Sequence, residues 1–336
     1  MNVLVVGGAG YIGSHAVKLL AEAGHTVVVV DNLSRGHREA VPPTIPFYEM
    51  PLANTEDLKQ VFGRHHIECV MHFAALAYVG ESVEHPLAYY DNNVAQTVSL
   101  LRAMEAAGVE KMVFSSTCAT YGEPKVVPIV EETPQEPINP YGRSKLFVEK
   151  ILADYATSRP TFSYAALRYF NVAGAARDGS LGEDHDPETH LIPSLLLTAL
   201  GKRPQFVVFG TDYPTPDGTC IRDYIHVEDL CRAHIVVMEA LRAGSRLIYN
   251  LGIGRGYSVK EVLQSVERVT GRKIPVEYGP RRPGDPAILY ADASKIRREL
   301  NWIPEYTEID AIVETAWRWF KNHPDGYRRK SCCAGR

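Results

Sequence analysis

Gly7-Gly8-Ala9-Gly10-Tyr11-Ile12-Gly13 follows directly on the apolar run Asn2-Val3-Leu4-Val5-Val6, and this passage decides the fold. The run is short and β-branched, so it reads as a buried strand. Gly7 allows a tight turn, Gly10 lets backbone approach phosphates without a Cβ clash, and Gly13 lets the next helix pack close to the sheet. Ser14 to Ala23 reads as that helix, its positive end turned toward a pyrophosphate. Gly24 ends it, and Thr26 to Val30 is the second strand. Asp31 closes that strand about twenty residues past the turn, where a carboxylate accepts hydrogen bonds from adenosine ribose hydroxyls. A 2′-phosphate would meet like charge there, so the expected cofactor is NAD rather than NADP. Arg35, on the loop beyond, is the one residue that favours the phosphorylated form.

Outward from this unit, strand and helix signals alternate to about residue 170. Strands are expected at 26–30, 68–73, 111–115 and 163–169, and helices at 12–23, 55–64, 87–107 and 141–158. Such alternation means a parallel sheet with right-handed crossovers. Beyond residue 170, glycine, proline and charge become frequent and the elements shorten. Helices are expected at 190–200, 228–243, 258–270, 294–300 and 307–322. The expected fold class is α/β: a Rossmann-type doubly wound parallel sheet with a smaller C-terminal α/β substrate lobe. The expected division is a dinucleotide domain at 1–172, a substrate lobe at 173–327 with some segments returning to the first domain, and a disordered basic tail at 328–336. Substrate is expected at the carboxyl ends of the strands, between the lobes.

The chain has 336 residues, enough for two lobes around a substantial core. Its net charge of −4 argues against a general nucleic-acid binder. No apolar stretch approaches a membrane span. With the glycine turn beginning at residue 7, no secretory leader is expected, and the cytoplasm is the expected compartment. The six cysteines form no CxxC or Cys/His metal spacing, so no metal is expected. Cys332 and Cys333 sit in the basic tail; Cys118 reads as a small filler, not a nucleophile.

The second chemical passage is Tyr141-Gly142-Arg143-Ser144-Lys145. Pro140 suits the first turn of a helix, which makes Tyr141 and Lys145 neighbours on one face. A free phenol, with a pKa near 10, is a poor base at neutral pH. A nearby ammonium and a cationic nicotinamide both favour the phenolate, and a drop of about three units takes about 4 kcal/mol. Tyr141 is therefore expected to remove a hydroxyl proton while the carbon beneath yields hydride to the cofactor. Lys145 is expected to hold the nicotinamide ribose as well. A Tyr-x-x-x-Lys pair alone is common on exposed helices. What lifts this one is Phe114-Ser115-Ser116-Thr117, where a strand ends in hydroxyls; Thr117 is the expected hydrogen-bond partner of the reacting oxygen.

These residues resemble the extended short-chain dehydrogenase/reductase superfamily, and within it the UDP-glucose (UDP-galactose) 4-epimerase family. The passages that carry the likeness are GGAGYIGSH at 7–15, DNLSRG at 31–36, HFAALAYVGES at 72–82, YYDNNV at 89–94, SSTCATYG at 115–122, NPYGRSK at 139–145, LRYFNVAGA at 167–175, GTCIRDYIHVEDL at 218–230, YNLGIG at 249–254 and RRPGDPAILYADASK at 281–295. The resemblance implies hydride transfer from C4 of a UDP-hexose to a tightly held NAD, rotation of the 4-keto sugar, and hydride return to the other face. It implies Tyr141 as base, Lys145 as its electrostatic partner and Thr117 as the catalytic hydroxyl. For the cofactor it implies Gly7, Gly10, Tyr11, Ile12, Gly13, Asp31, Asn32, Ser34, Arg35, Gly36, Phe73, Ala74, Ala75, Asn92, Ser115 and Tyr169, beside Tyr141 and Lys145. For UDP-glucose or UDP-galactose it implies Asn171, His190, Leu191, Phe209, Arg222, Tyr224, Arg282, Asp285 and Leu289, beside Thr117 and Tyr141. A homodimer through helices 87–107 and 141–158 is implied too.

Three departures stand out. Met50-Pro51 replace a Gly-Asp pair whose acid reaches the adenine in many relatives. Ala77 replaces a lysine near the pyrophosphate. Both predict weaker NAD retention. Leu289 replaces a bulky tyrosine of some relatives, which leaves room for N-acetylated sugars. A 4,6-dehydratase usually carries Asp-Glu after the catalytic hydroxyl, but here Cys118-Ala119 stand there. A UDP-uronate 4-epimerase stays open. A non-catalytic NAD-binding regulator would tend to lose the tyrosine or lysine, and both are present.

Overall fold

The computed structural model describes residues 1–282 and 285–327. The basic tail from Arg328, with Cys332 and Cys333, lies outside the described residues, as do Pro283 and Gly284. The central sheet is formed by β1 (Asn2–Val6), β2 (Thr26–Asp31), β3 (Phe47–Glu49), β4 (Cys69–His72), β5 (Lys111–Thr117), β6 (Ser163–Tyr169) and a late strand, Arg246–Leu251. Their order is Arg246–Leu251, β6, β5, β4, β1, β2, β3, with every pairing parallel. The helices are α1 (Tyr11–Glu22), α2 (Thr55–His65), α3 (Val79–Glu84), α4 (Pro86–Tyr89), α5 (Gln96–Ala107), α6 (Pro140–Ser158), α7 (Leu191–Ala199), α8 (Val227–Ala240), α9 (Val259–Thr270), α10 (Ser294–Leu300) and α11 (Ile309–Asn322). This is the expected doubly wound α/β fold.

The pleat of β1 shows why both faces are covered. Val3 and Val5 point into one core with Val17 and Leu20 of α1 and Ala233 and Val237 of α8. Leu4 and Val6 point into the other, with Leu58 of α2, Leu100 of α5 and Val148 and Leu152 of α6. Each such side chain, fully withdrawn from water, contributes about 1.5–3 kcal/mol. A strand apolar at every position must therefore lie between two helix layers. The sheet order reverses beside β1, with β2 on one side and β4 on the other, and a crevice opens at that switch point beyond the strands' carboxyl ends.

The chain after residue 172 is not confined to the second lobe. Helix α8 packs on α1, and Arg246–Leu251 extends the first sheet beside β6. A separate core forms from Leu195 and Leu196 of α7, Val262 and Val266 of α9, and Ile312, Val313 and Trp319 of α11. Around it lie very short strands: Asn171–Ala173 with Tyr224–His226, Phe206–Phe209 with Val276–Gly279, and Ile221–Arg222 between Tyr257–Ser258 and Ile288–Leu289.

The helix expected at 87–107 is interrupted. After α4 the backbone opens into a π-turn at Tyr90–Ala95 before α5 resumes. A π-turn carries one extra residue per turn and is common at functional sites. Here it buries Asn93, whose amide brackets Leu76 by accepting from its N at 2.9 Å and donating to its O at 3.0 Å. Asn92 is left facing the crevice.

Candidate active site

The cleft at the switch point is lined by Gly7, Gly10, Asp31, Asn32, Ser34, Arg35, Gly36, Phe73, Ala74, Ala75 and Asn92, all expected there, and by Met50, Pro51, Leu52, Leu76 and Gln96. Gly7 and Gly13 leave no room for a side chain. Gly7 has φ of +80°, and a Cβ on it would lie 2.5 Å from Ala74 N; one on Gly13 would lie 2.0 Å from Gly7 O. Asp31 is buried at the end of β2, and its carboxylate accepts from Ala9 N at 2.9 Å and Leu33 N at 2.8 Å. Burial raises its pKa and these bonds oppose the rise. Each oxygen retains a lone pair for a hydroxyl donor. Arg35 is engaged elsewhere: it pairs with Glu81 at 2.5 Å and lies 4.9 Å over the Tyr78 ring. The cradle and the acid fit NAD, and the arginine's pairing removes the complication it posed.

Tyr11 and Ile12 open α1 beside this cleft. Tyr11 donates to Gly174 O at 2.7 Å, and Ile12 packs into the core. Ala77 is exposed.

The second group gathers where β5 and α6 begin to touch. Asn139 caps α6 by accepting from Gly142 N at 2.8 Å, and Pro140 occupies the first turn. A Cβ on Gly142 would lie 2.4 Å from Ala119 O, so only glycine lets α6 press against the turn after β5. That approach brings Tyr141 within hydrogen-bond reach of Thr117. Thr117 Oγ1 also accepts from Ala119 N at 3.1 Å, which leaves its hydroxyl proton to donate. One turn on, buried Lys145 donates to Ser115 O at 2.7 Å and lies 4.9 Å over the Phe114 ring. The Ser115 hydroxyl bonds the Tyr169 phenol.

The electrostatics differ from the expectation. Burial pushes the Tyr141 phenol up to about 12, the bond to Thr117 opposing it. Burial pulls the Lys145 ammonium down to about 7, with Glu149 opposing. The neighbouring lysine does not by itself lower the phenol, because its Nζ is turned onto the β5 carbonyl. In the chain alone, burial favours the neutral phenol and weakens the lysine's hold on its proton.

Behind this group stands a buried network that the sequence did not announce. Glu149, a further turn along α6, accepts from Arg168 Nη2 at 2.6 Å, Ser116 at 2.5 Å and Gln135 at 3.1 Å. Arg168 also donates to Tyr121 at 2.9 Å, and Tyr121 to Asn250 at 2.7 Å. The i, i+4, i+8 spacing of Tyr141, Lys145 and Glu149 on one helix is the signal that could have found it. Asn93 ties in as well, donating to Ser144 at 3.0 Å.

The residues expected on the nucleotide-sugar side fall in several places. Arg222 donates to Asp285 and to Ile221 O at 2.8 Å. Arg282 lies 4.1 Å over the Phe209 ring. Asn171 and Tyr224 are register partners on paired strands, and Tyr224 is buried. Leu289 is buried among Tyr121, Ile129, Phe170 and Ala291, with Cys118 at the cluster's edge. Asp223, which sequence reasoning missed, is fully buried and accepts from Ile253, Gly254 and Ala291 at 2.9, 3.1 and 3.2 Å. Burial lifts it to about 6, against those three bonds. It locks the strand of Arg222 to the segments that flank it. Leu191 begins α7 and packs on the small-lobe core. His190 is drawn aside: its Nδ1 lies 2.8 Å from Glu183 and 3.0 Å from Glu188. With His185 these residues form a cluster of four, although no metal spacing was expected.

A glycine-cradled dinucleotide cleft on a doubly wound sheet, with Tyr, Lys and Thr converging at its end, defines a nicotinamide-dependent enzyme of the short-chain dehydrogenase/reductase type. The family described as "NAD dependent epimerase/dehydratase family" matches residues 3–252, and the chain belongs to it. The UDP-glucose 4-epimerase of Lacticaseibacillus casei is 52% identical over 330 residues, covering 97% of this chain and 99% of that protein. A crystal structure of a UDP-glucose 4-epimerase superposes with a TM-score of 0.94 at 50% identity, covering 98% of this chain and 100% of that one. The Brucella ovis UDP-glucose 4-epimerase in complex with NAD gives 0.91 at 51% identity, covering 95% and 98%.

Proposed function

We propose that this chain is an isomerase that interconverts UDP-galactose and UDP-glucose through a transient 4-keto sugar. The observation that carries the reading is the meeting of Tyr141, Thr117 and Lys145 beside a cleft fitted to NAD. When bound, the oxidised dinucleotide supplies a hydride acceptor and a positive ring charge. In this reading, Gly7, Gly10, Gly13 and the start of α1 hold the pyrophosphate, and Asp31 holds the adenosine ribose.

The residues then act as follows. Thr117 donates to the sugar O4 and fixes its orientation. Tyr141 Oη takes the O4 proton as the C4–H bond breaks and returns it when hydride comes back to the opposite face. Bringing a phenol from about 12 to about 7 takes about 7 kcal/mol. A single unit charge at about 5 Å contributes about 3 kcal/mol at an effective dielectric of about 20. One cation therefore does not suffice; the pyridinium and a charged Lys145 together contribute about 6 kcal/mol, and the hydrogen bond from Thr117 adds to them. Arg222 and Arg282 hold the diphosphate, and Asp285, released from Arg222, accepts from ribose hydroxyls. Asn171, Tyr224 and Phe209 line the uridine side, with His190 and Leu191 at its edge. Leu289, smaller than tyrosine, bounds the sugar pocket and admits N-acetylated hexosamines.

The proposed division puts the dinucleotide in 1–172 and the UDP-sugar mainly in 173–327, with α8 and Arg246–Leu251 serving the first sheet. A homodimer is proposed through the 87–107 segment and α6, where Leu87 and Phe147 are 80% and 43% exposed. Sedimentation giving the mass of one chain would contradict it. No helix of the described residues is long and apolar enough to cross a membrane. The cytoplasm is the proposed compartment, supported by free thiols at Cys69, Cys118, Cys220 and Cys231.

The test is to incubate the purified protein with UDP-galactose, with and without added NAD. Formation of UDP-glucose with no net build-up of NADH is expected. Stoichiometric NADH, or no product in either arm, would contradict the reading.

A further inference from the structure

The loop Glu183-Asp184-His185-Asp186-Pro187-Glu188-Thr189-His190 carries an E-x-H-x-x-E-x-H pattern that the proposed reaction does not use for chemistry. It folds so that one ligand-type atom from each of Glu183, His185, Glu188 and His190 lies within 4.8 Å of the others. Glu183 Oε1 is 3.2 Å from His185 Nδ1 and 2.8 Å from His190 Nδ1. Glu188 contacts the same two atoms, Oε1 at 3.0 Å from His190 Nδ1 and Oε2 at 3.6 Å from His185 Nδ1. Both carboxylates are withdrawn from solvent, with side chains 4% and 5% exposed.

We propose that these four residues form a tetrahedral site for a divalent first-row transition cation, zinc foremost, that pins this loop against the cofactor cleft. Zinc binds imidazole nitrogen and carboxylate oxygen at about 2.0–2.1 Å, so tetrahedral ligand atoms stand about 3.3 Å apart. With Glu183 Oε1 and Glu188 Oε1 as the carboxylate ligands, three of the edges measure 2.8, 3.0 and 3.2 Å, close to that value, and all four ligand atoms lie within 4.8 Å of one another. Hydrogen bonding explains the geometry less well. Charge-assisted N–H···O bonds run at about 2.7–2.9 Å, shorter than either contact of His185 Nδ1. His185 Nδ1 and Glu188 Oε2 are buried within the cluster and make no well-formed hydrogen bond, only ion-pair contacts at 3.2 and 3.6 Å. Against burial, Glu183 and Glu188 raise both imidazoles, so zinc would displace a proton from each, and the two carboxylates would then balance the dication. The absence of thiolates, with two nitrogens and two oxygens, favours a borderline cation over a soft one or over calcium and magnesium.

The site's neighbours give it a task. The His185 ring stands edge-on to Tyr11, which opens α1 after the glycine turn, at 6.3 Å, and to Tyr78 at 6.0 Å. His37, just past Gly36 in the cleft wall, makes a 2.9 Å hydrogen bond to Asp184 O, and Arg203 donates to Glu188 O at 2.7 Å. A cation here would tie the 183–190 loop to three walls of the dinucleotide mouth.

The test uses the full chain, purified without chelator and without metal-affinity chromatography, then dialysed against metal-free buffer. Elemental analysis should give about one zinc per chain. After EDTA treatment, zinc added at a hundred times its dissociation constant should raise the melting temperature by about 5 °C, and NAD should survive dialysis better than in the stripped protein. His185→Gln and Glu183→Gln should each weaken zinc binding at least about 100-fold, while UDP-galactose turnover with saturating NAD persists. The variants are read by circular dichroism first; because Glu183→Gln is isosteric, it keeps the test informative if His185→Gln misfolds. Zinc that remains bound in both variants, or no shift in melting temperature on adding zinc to the stripped protein, would overturn the proposal.

Discussion

The two ends of the cleft are built from different materials. At the dinucleotide end the contacts come from backbone and short side chains: Gly7, Gly10 and Gly13 in one turn, and an Asp31 carboxylate already held by two N–H groups. At the nucleotide-sugar end they come from long charged side chains, Arg222, Arg282 and Asp285, carried on or beside strands of two residues. The first end is preorganised by sterics, and a Cβ at Gly7 or Gly13 has nowhere to go. The second is held by side-chain pairing, Arg222 on Asp285 and Arg282 over Phe209, which an arriving diphosphate would rearrange. The first end should therefore fail abruptly on substitution, and the second by degrees.

Gly13→Ala probes the abrupt end. Its new Cβ would meet Gly7 O at 2.0 Å, which should cost about 1–3 kcal/mol of stability and empty the cleft of NAD. Cofactor released on denaturation and a thermal melt measure both; retained NAD with an unchanged melt would separate the turn from the cofactor. Arg222→Lys probes the graded end. Loss of a bidentate, charge-assisted contact worth about 1.5–3 kcal/mol should raise KM for the UDP-sugar by about tenfold or more, with NAD content unchanged. A fall in kcat alone would place Arg222 nearer the chemistry than the diphosphate. Pro51→Asp should slow NAD loss during dialysis by about two- to tenfold, the worth of one added hydrogen bond. Unchanged retention would remove adenine from that wall. Leu289→Tyr should be the mildest, lowering kcat/KM for a UDP-N-acetylhexosamine several-fold more than for UDP-galactose. Equal losses would mean that the cluster around Tyr121 and Phe170 has repacked.

The same contrast explains what could be read in advance. A glycine turn, a strand-end acid and an i, i+4 Tyr–Lys pair are local patterns, so they were legible and fall where expected. Ser115 and Thr117 were legible because a strand that ends in hydroxyls is a local event too. The π-turn at Tyr90–Ala95 was not, since it depends on Asn93 bonding Leu76 and Ser144 across the fold. The late strand Arg246–Leu251 was missed because it joins β6 from a distant part of the chain. Asp223 was overlooked for the same reason: its three partners lie 30 to 68 residues away. Spacing gives the adjacency of Tyr141 and Lys145 but says nothing of desolvation, which in the chain alone outweighs the lysine; the expected lowering also needs the nicotinamide's charge.

The account's central claim is that the Tyr141 phenol moves the sugar's proton. Turnover of UDP-galactose by Tyr141→Phe, with bound NAD quantified in the same sample, tests it most directly. A fall of about 10²–10⁴ in kcat with NAD content intact is expected for loss of a general base. Near-normal turnover by a variant that still holds its NAD would contradict the claim.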